Sequence, residues 1–227
     1  MPRYKKAVCI ISGGMDSSLA ANMAKNEGYE VIALHFNYGQ RTEVKELEAF
    51  RKISKALNAV ENYEIDLDFF KKIGASALTD KNLDVPTTGV EKGVPITYVP
   101  FRNGIFISIA TAIAEKHEAE ALFIGVVEED SSGYPDCRDA YITSMEQSIN
   151  LGTKDETKLS IKMPLVHMKK SEIVAKSIDL GISLVDTWSC YQSEDKACGL
   201  CDSCRLRLNG FKVAGLVDPI EYVDPIE

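Results

Sequence analysis

The chain has 227 residues, 45% hydrophobic and 26% charged, a balance that suits an α/β domain with a sizeable core; no apolar run approaches the ~20 residues of a membrane span. The net charge is −8 with no basic tail or stripe, which argues against a nucleic-acid partner, because such binding draws its affinity from Lys and Arg neutralising phosphates. Six cysteines are present, four of them between positions 190 and 204, and with no signal-like segment before the first strand this points to metal in a cytoplasmic protein rather than to disulfides.

Ala7 to Ile11 is an apolar run that reads as a buried strand, with Cys9 a small core residue. Ser17 to Lys25 reads as a helix. Between them lies Ser12-Gly13-Gly14-Met15-Asp16-Ser17. A strand that empties through two glycines into a helix start is a phosphate cradle. Glycine lets the backbone approach an anion closely, and the first helical N–H groups have no partner within the helix. Ser12, Ser17 and Ser18 add hydroxyl donors. Asp16 stands at the helix start, where N-capping is one role open to it. The loop lacks the lysine of a Walker A sequence and the spacing of G-x-G-x-x-G.

Glu30 to Phe36 reads as the second strand. Arg41 to Leu57 reads as a helix, with Val44, Leu47, Phe50, Ile53 and Leu57 recurring at steps of three or four. A short third strand follows at Asn62 to Asp66, and a brief helix over 67–73. Residues 79–100 carry Pro86, Gly89, Gly93, Pro95 and Pro100 and read as a long loop. Asn103 to Lys116 is an apolar helix, with His117 as a group capping its C-terminus. Ala121 to Val126 is the fourth strand, Asp139 to Asn150 a helix and Lys158 to Lys162 a fifth strand. Ser171 to Leu180 is a helix with Ser171 as N-cap and Gly181 as C-cap. The alternation predicts an open, mainly parallel sheet with helices on both faces, and places the phosphate cradle at the carboxyl ends of the strands, where such sheets bind ligands. Asp218-Pro219-Ile220-Glu221 recurs at 224–227 and reads as an extended surface tail.

Two further constellations carry chemistry. The loop from Glu129 to Asp139 combines a Gly133-Tyr134-Pro135 turn with carboxylates and Arg138, on the same rim as the phosphate cradle; such convergence suits a small planar ligand. Cys190, Cys198, Cys201 and Cys204 offer four thiolates at spacings that suit tetrahedral Zn²⁺, with no position left open for a catalytic water, so the site reads as structural. An iron–sulfur cluster can take four cysteines as well, and spacing alone does not separate the two. A C-x-x-C redox pair would leave two of the four unexplained.

S-G-G-x-D-S resembles the PP-loop of the ATP pyrophosphatases, an adenine nucleotide α-hydrolase-like superfamily. The ordered set of this loop, Tyr38-Gly39-Gln40-Arg41, Val99-Pro100-Phe101-Arg102-Asn103, Ser132-Gly133-Tyr134-Pro135-Asp136-Cys137-Arg138 and the cysteine pattern resembles the 7-cyano-7-deazaguanine synthase family, over about residues 7–215. Ser18 stands where threonine is common, and Phe101 where glycine is common.

The resemblance implies a PP-loop α/β nucleotide-binding domain over 1–185 and a zinc-binding segment over 186–227 packed on it. It implies a ligase that adenylates a deazapurine carboxylate, takes ammonia to give the amide, and adenylates the amide to give the nitrile, with AMP and pyrophosphate released. ATP is then a substrate, with Mg²⁺ that Asp16 is the candidate to hold directly or through its waters, and a homodimer is implied. Ammonia would come free or from a separate partner. Ile11, Ser12, Gly13, Gly14, Met15, Asp16, Ser17, Ser18, Gln40 and Arg41 would surround ATP, and Asp16, Ser17 and Lys170 would serve catalysis. Arg102, Asn103, Asp130, Tyr134, Asp136 and Arg138 would hold the deazapurine: Asp136 first and Asp130 second on the donor edge of the base, Tyr134 stacked on the ring, Arg138 on the carboxylate or a nucleotide phosphate. Cys137 is then a packing residue, with a nucleophilic role as its alternative. A PP-loop enzyme acting on another acid or on tRNA is the alternative.

Overall fold

The computed structural model describes residues 5–89, 93–128 and 133–223. Five strands form one sheet: β1 (Lys6–Ile10), β2 (Glu30–Asn37), β3 (Glu61–Asp66), β4 (Ala121–Ile124) and β5 (Ser160–Lys162). Their order is β3-β2-β1-β4-β5, and every pairing is parallel. Parallel neighbours cannot be joined by a hairpin, so the chain returns through crossovers. The helices are α1 (Met15–Asn26), α2 (Glu43–Leu57), α3 (Phe69–Ile73), α4 (Arg102–His117), α5 (Asp139–Gly152), α6 (Lys170–Asp179) and α7 (Asp202–Val213).

The central strand β1 is buried on both faces, and its side chains alternate between two cores. Val8 and Ile10 join Ile32, Leu34 and the Phe106, Ile107 and Ala110 stripe of α4. Ala7 and Cys9 join Ala21 and Ala24 of α1 and Phe50 and Ile53 of α2 on the opposite face. Fully burying one such side chain contributes about 1.5–3 kcal/mol. A further cluster joins Leu19 of α1, Ile173 and Val174 of α6 and Phe211 of α7. From β1 the chain winds outward to β2 and β3, then crosses to β4 and β5 on the other side. The order reverses between β1 and β4, which opens a crevice at their carboxyl ends.

Several local expectations are corrected. The buried face of α2 is Ala49, Phe50, Ile53, Ser54 and Leu57, whereas Val44 is 60% exposed. Helix α6 begins at Lys170 with Lys169 as N-cap. Glu172 reaches back to accept the Lys169 N–H at 2.7 Å, so Ser171 lies inside the first turn and does not cap it. His117 pairs its Nε2 with the Tyr63 hydroxyl at 2.6 Å instead of capping α4. Asp218 is not a surface residue: it forms an ion pair with Arg207 at 2.7 Å, the two side chains 2% and 1% exposed. The second copy of that tetrapeptide lies outside the described residues. Helix α7 was not expected, because its buried positions are Asp202, Cys204, Arg207, Gly210 and Phe211, a helical spacing carried mostly by residues that are not hydrophobic.

Candidate active site

The crevice between β1 and β4 holds a cavity of about 250 Å³. One end is the loop that leaves β1. Its N-cap for α1 is Gly14, so the first-turn N–H groups of the helix point into the crevice with no intrahelical acceptor. Two glycines make this geometry possible. Gly13 has φ +92°, and a Cβ there would stand 2.5 Å from the Glu46 carbonyl oxygen. Gly125 follows β4, and a Cβ there would stand 2.7 Å from the Ser17 nitrogen, so α1 can start against the end of β4 only because that side chain is missing.

Inside the loop, Ser17 Oγ donates to the Gly14 carbonyl at 3.0 Å and accepts from the Ser12 N–H at 3.1 Å. Asp16 lies in the first turn of α1, and Gly14 takes the N-cap place, so the capping alternative for Asp16 does not hold. Its Oδ2 accepts from Lys170 Nζ at 2.6 Å, while its Oδ1 and the Ser18 Oγ are buried without a hydrogen-bond partner. Buried polar atoms are normally paired, so an unpaired carboxylate oxygen beside an anion cradle fits a cation carried on a phosphate. Lys170, 154 positions away in sequence, reaches the loop because α6 packs on α1.

The other end is aromatic and polar. Arg102, at the start of α4, donates from Nη1 to the Tyr38 hydroxyl at 2.7 Å and lies 5.2 Å from the Tyr38 ring and 5.7 Å from the Phe106 ring. Burial works against its charge, but Tyr38, Tyr134 and Asp136 outweigh it and hold the guanidinium above its ordinary pKa. Tyr134 lines the cavity and donates to Thr97 Oγ1 at 2.9 Å. Glu46 lines the wall between the two ends. Burial pushes its carboxyl up to about 7, against hydrogen bonds from Thr42 Oγ1 at 2.7 Å and Gln40 Nε2 at 3.2 Å and the field of Arg102.

Among the predicted residues, Ile11, Ser12, Gly14, Met15, Asp16, Ser17, Lys170, Arg102, Asn103 and Tyr134 come together on the cavity wall. Gly13 and Ser18 shape the loop from behind. Gln40 stands one layer out, donating to Glu46. Arg41 is further away: its guanidinium donates to the carbonyls of Ala77, Asp80 and Leu83 and so pins the start of the long loop. Asp136 is buried, and its Oδ2 accepts the Asn103 N–H at 2.9 Å, so it ties its loop to the start of α4 and does not line the cavity. Arg138 is exposed at the N-cap of α5 and does not line it either. Asp130 lies outside the described residues. Cys137 lines the cavity, accepts from Asn103 Nδ2 at 3.3 Å, and has its thiol pushed up to about 12 by burial.

Sequence reasoning missed Glu46, Trp188, Tyr191 and Arg207, which also line the cavity. A signal existed for Glu46. It precedes Ala49, Phe50, Ile53 and Leu57 at steps of three, four, seven and eleven, which places a carboxylate on a core-facing stripe.

The sulfurs of Cys190, Cys198, Cys201 and Cys204 all lie within 4.8 Å of one another and could hold one metal ion. The N–H groups of Gln192, Ser193 and Cys198 donate to Cys190 Sγ at 3.3–3.4 Å, and that of Cys201 to Cys198 Sγ at 3.4 Å. Such donors stabilise thiolate ligands. The neighbouring thiols of Cys201 and Cys204, and then the N–H groups of Cys198 and Gln192, hold the Cys190 thiol well below its ordinary pKa against the effect of burial. The cluster is coupled to the cavity. The Trp188 N–H donates to the Gly13 carbonyl at 2.9 Å, and the Thr42 hydroxyl, which donates to Glu46, lies 3.2 Å from the Cys190 carbonyl, so the strap entering the cysteine site is bonded to the phosphate loop and packed on the N-cap of α2.

The sequence pattern of the family described as "Queuosine biosynthesis protein QueC" matches residues 6–215. A protein of Sulfurovum sp. named 7-cyano-7-deazaguanine synthase is 75% identical over 218 residues, 96% of this chain and 98% of that protein. One of the same name from Sulfurimonas denitrificans is 68% identical over 221 residues, 97% of this chain and 99% of that protein. Among solved structures, a 4-thiouridine synthetase in complex with RNA and bound ATP superposes with a TM-score of 0.52 at 19% identity, covering 93% of this chain and 50% of that one; this likeness concerns the fold alone.

Proposed function

Because the chain belongs to the QueC family of queuosine biosynthesis proteins, we propose that it is the ATP-dependent ligase that converts 7-carboxy-7-deazaguanine and ammonia to 7-cyano-7-deazaguanine. The observation that carries this reading is the phosphate cradle opening into the same cavity as Arg102, Tyr38 and Tyr134. An anion site and a planar, aromatic, cationic site share one space, as a reaction between ATP and an aromatic acid requires.

A carboxylate is a poor electrophile, and its oxygen leaves only after activation. The cradle of Ser12 to Ser18 binds the β,γ-pyrophosphate through backbone N–H groups and hydroxyls, with the positive end of α1 behind it. The substrate carboxylate attacks the α-phosphorus, and Lys170 steadies the charge that develops on the phosphate oxygens. Mg²⁺ carried on ATP would be held through Asp16 and would neutralise phosphate charge. Ammonia then displaces AMP to give the amide. Adenylation of the amide oxygen in the same cradle lets AMP depart again and leaves the nitrile. Tyr134 stacks on the deazapurine ring, and Arg102 pairs with the substrate carboxylate. Asp136 supports both by fixing the first turn of α4.

The four cysteines hold a structural Zn²⁺, a ligand set with no position left for water. Its role is to anchor the strap that carries Trp188 and Tyr191 to the cavity. The experiment is ATP consumption by the purified protein with 7-carboxy-7-deazaguanine and ammonium together, and with each alone. Consumption that depends on the acid supports the reading. Consumption indifferent to it removes this substrate.

A further inference from the structure

Nitrogen is the reactant for which the reading above names no partner. Ammonia exists in neutral water mostly as ammonium, which has no lone pair, and each product after it carries fewer N–H bonds. A base beside the reacting carbon is therefore needed more than once. Two carboxylates line the cavity among the described residues, Asp16 and Glu46. Asp16 is engaged by Lys170 at the phosphate end. Glu46 stands on the wall between the cradle and Arg102. Its own turn of α2 is pressed against the cradle, since its carbonyl oxygen is the atom that a Cβ at Gly13 would strike.

Resting on the ligase reading, we infer that Glu46 is the residue that accepts protons from the nitrogen in both halves of the reaction. Ammonium gives one proton to the Glu46 carboxylate, and the freed lone pair attacks the acyl carbon. The C–N bond forms, the C–O bond to AMP breaks, AMP leaves with the electron pair, and a second nitrogen proton passes to water. In the second round the amide oxygen attacks the α-phosphorus, pyrophosphate leaves, and nitrogen loses one proton to water. Glu46 then takes the last N–H proton as that electron pair closes the triple bond and AMP departs. Between steps the carboxyl returns each proton to solvent.

Its surroundings suit this exchange. Thr42 and Gln40 fix the carboxyl by one hydrogen bond to each oxygen. The charged and titratable groups that bear on it are Arg102 from α4, which favours the ionised form, Glu43 from its own helix, which opposes it, and Tyr38 from the end of β2. The C-terminal part brings Trp188, Ser189 and Tyr191 of the strap and Ser203, Leu206 and Arg207 of α7 to this cavity, and the charge of Arg207 is paired with Asp218. Burial then leaves the carboxyl titrating at about 7, where it can both take and release a proton.

The test separates the step that needs no nitrogen from those that do. Pyrophosphate exchange into ATP is measured with 7-carboxy-7-deazaguanine and no ammonium, and nitrile formation is measured with ammonium. In Glu46→Gln the ratio of nitrile formation to exchange should fall by about 10²-fold or more, and Glu46→Asp should recover part of it. The ammonium-limited rate of the unaltered enzyme should rise through a group ionising near neutrality, and that limb should be missing in Glu46→Gln. If exchange and nitrile formation fall together, Glu46 is a structural residue and the inference is wrong. It is equally wrong if neither falls. No exchange in the unaltered enzyme would remove the adenylation reading itself, and this inference with it.

Discussion

At the scale of single residues, Asp16 and Cys137 make opposite predictions. Asp16 has one oxygen on Lys170 and one buried without a partner in an anion site. Asp16→Ala should lower nitrile formation by about 10²-fold or more, because it removes charge stabilisation at the phosphates, with the circular dichroism spectrum unchanged. A thiol raised to about 12 by burial is protonated at neutral pH and is a poor nucleophile. Cys137→Ser should therefore keep turnover within about tenfold of the unaltered enzyme, a barrier change of roughly 1.4 kcal/mol; a larger loss, with a covalent adduct at this position in mass spectra of the unaltered enzyme, would restore a nucleophilic role. His35 is 1% exposed, bonded through Nδ1 to the Ile11 carbonyl at 2.8 Å and stacked on Phe50. Burial lowers its pKa, so the folded chain keeps it neutral where the unfolded chain would bind a proton. Stability is then lost as pH falls below the unfolded value of about 6.5. The slope of Tm against pH in that range should flatten in His35→Gln, and an unchanged slope would assign it to other groups.

At the scale of elements, the sequence was legible wherever local chemistry and burial agree. Strands β1, β2 and β4, the cradle and α4 carry apolar runs or glycine punctuation that have one reading. The misread elements are those in which tertiary partners replace the usual signal. Helix α7 buries Cys204, Arg207 and Gly210, and its periodicity is invisible to a count of apolar residues. Glu46 was hidden because a carboxylate on a buried stripe counts as polar until the cavity beside it is known. One oxygen of Asp136 accepts the Asn103 N–H from 33 positions away, a contact that its polar loop does not announce. Arg207 is held by Asp218, Thr187, Ser189 and the Leu184 carbonyl, so no donor in this buried group is wasted. Removing one partner leaves an uncompensated buried charge: Asp218→Ala should cost about 3–5 kcal/mol in denaturant unfolding. A loss under about 1 kcal/mol would mean that water replaces the carboxylate at no penalty.

At the scale of the whole molecule, two units meet at one cavity: the parallel sheet with its cradle, and the C-terminal strap with its cysteines. If the proposed zinc assignment holds, Cys201→Ser loses metal and thermal stability together, because ligand binding is part of the folding free energy of such knuckles. It should also weaken ATP binding, through the Trp188 bond to Gly13; full ATP affinity in metal-free protein would uncouple the two units. The proposed chemistry turns on attack by a carboxylate at the α-phosphorus of ATP in this cavity. The most direct measurement is ³¹P NMR of the nucleotide products formed with 7-carboxy-7-deazaguanine and ammonium. The expected products are AMP and pyrophosphate, two of each for every nitrile formed. ADP and inorganic phosphate as the products would place the attack at the γ-phosphorus and rule out adenylation.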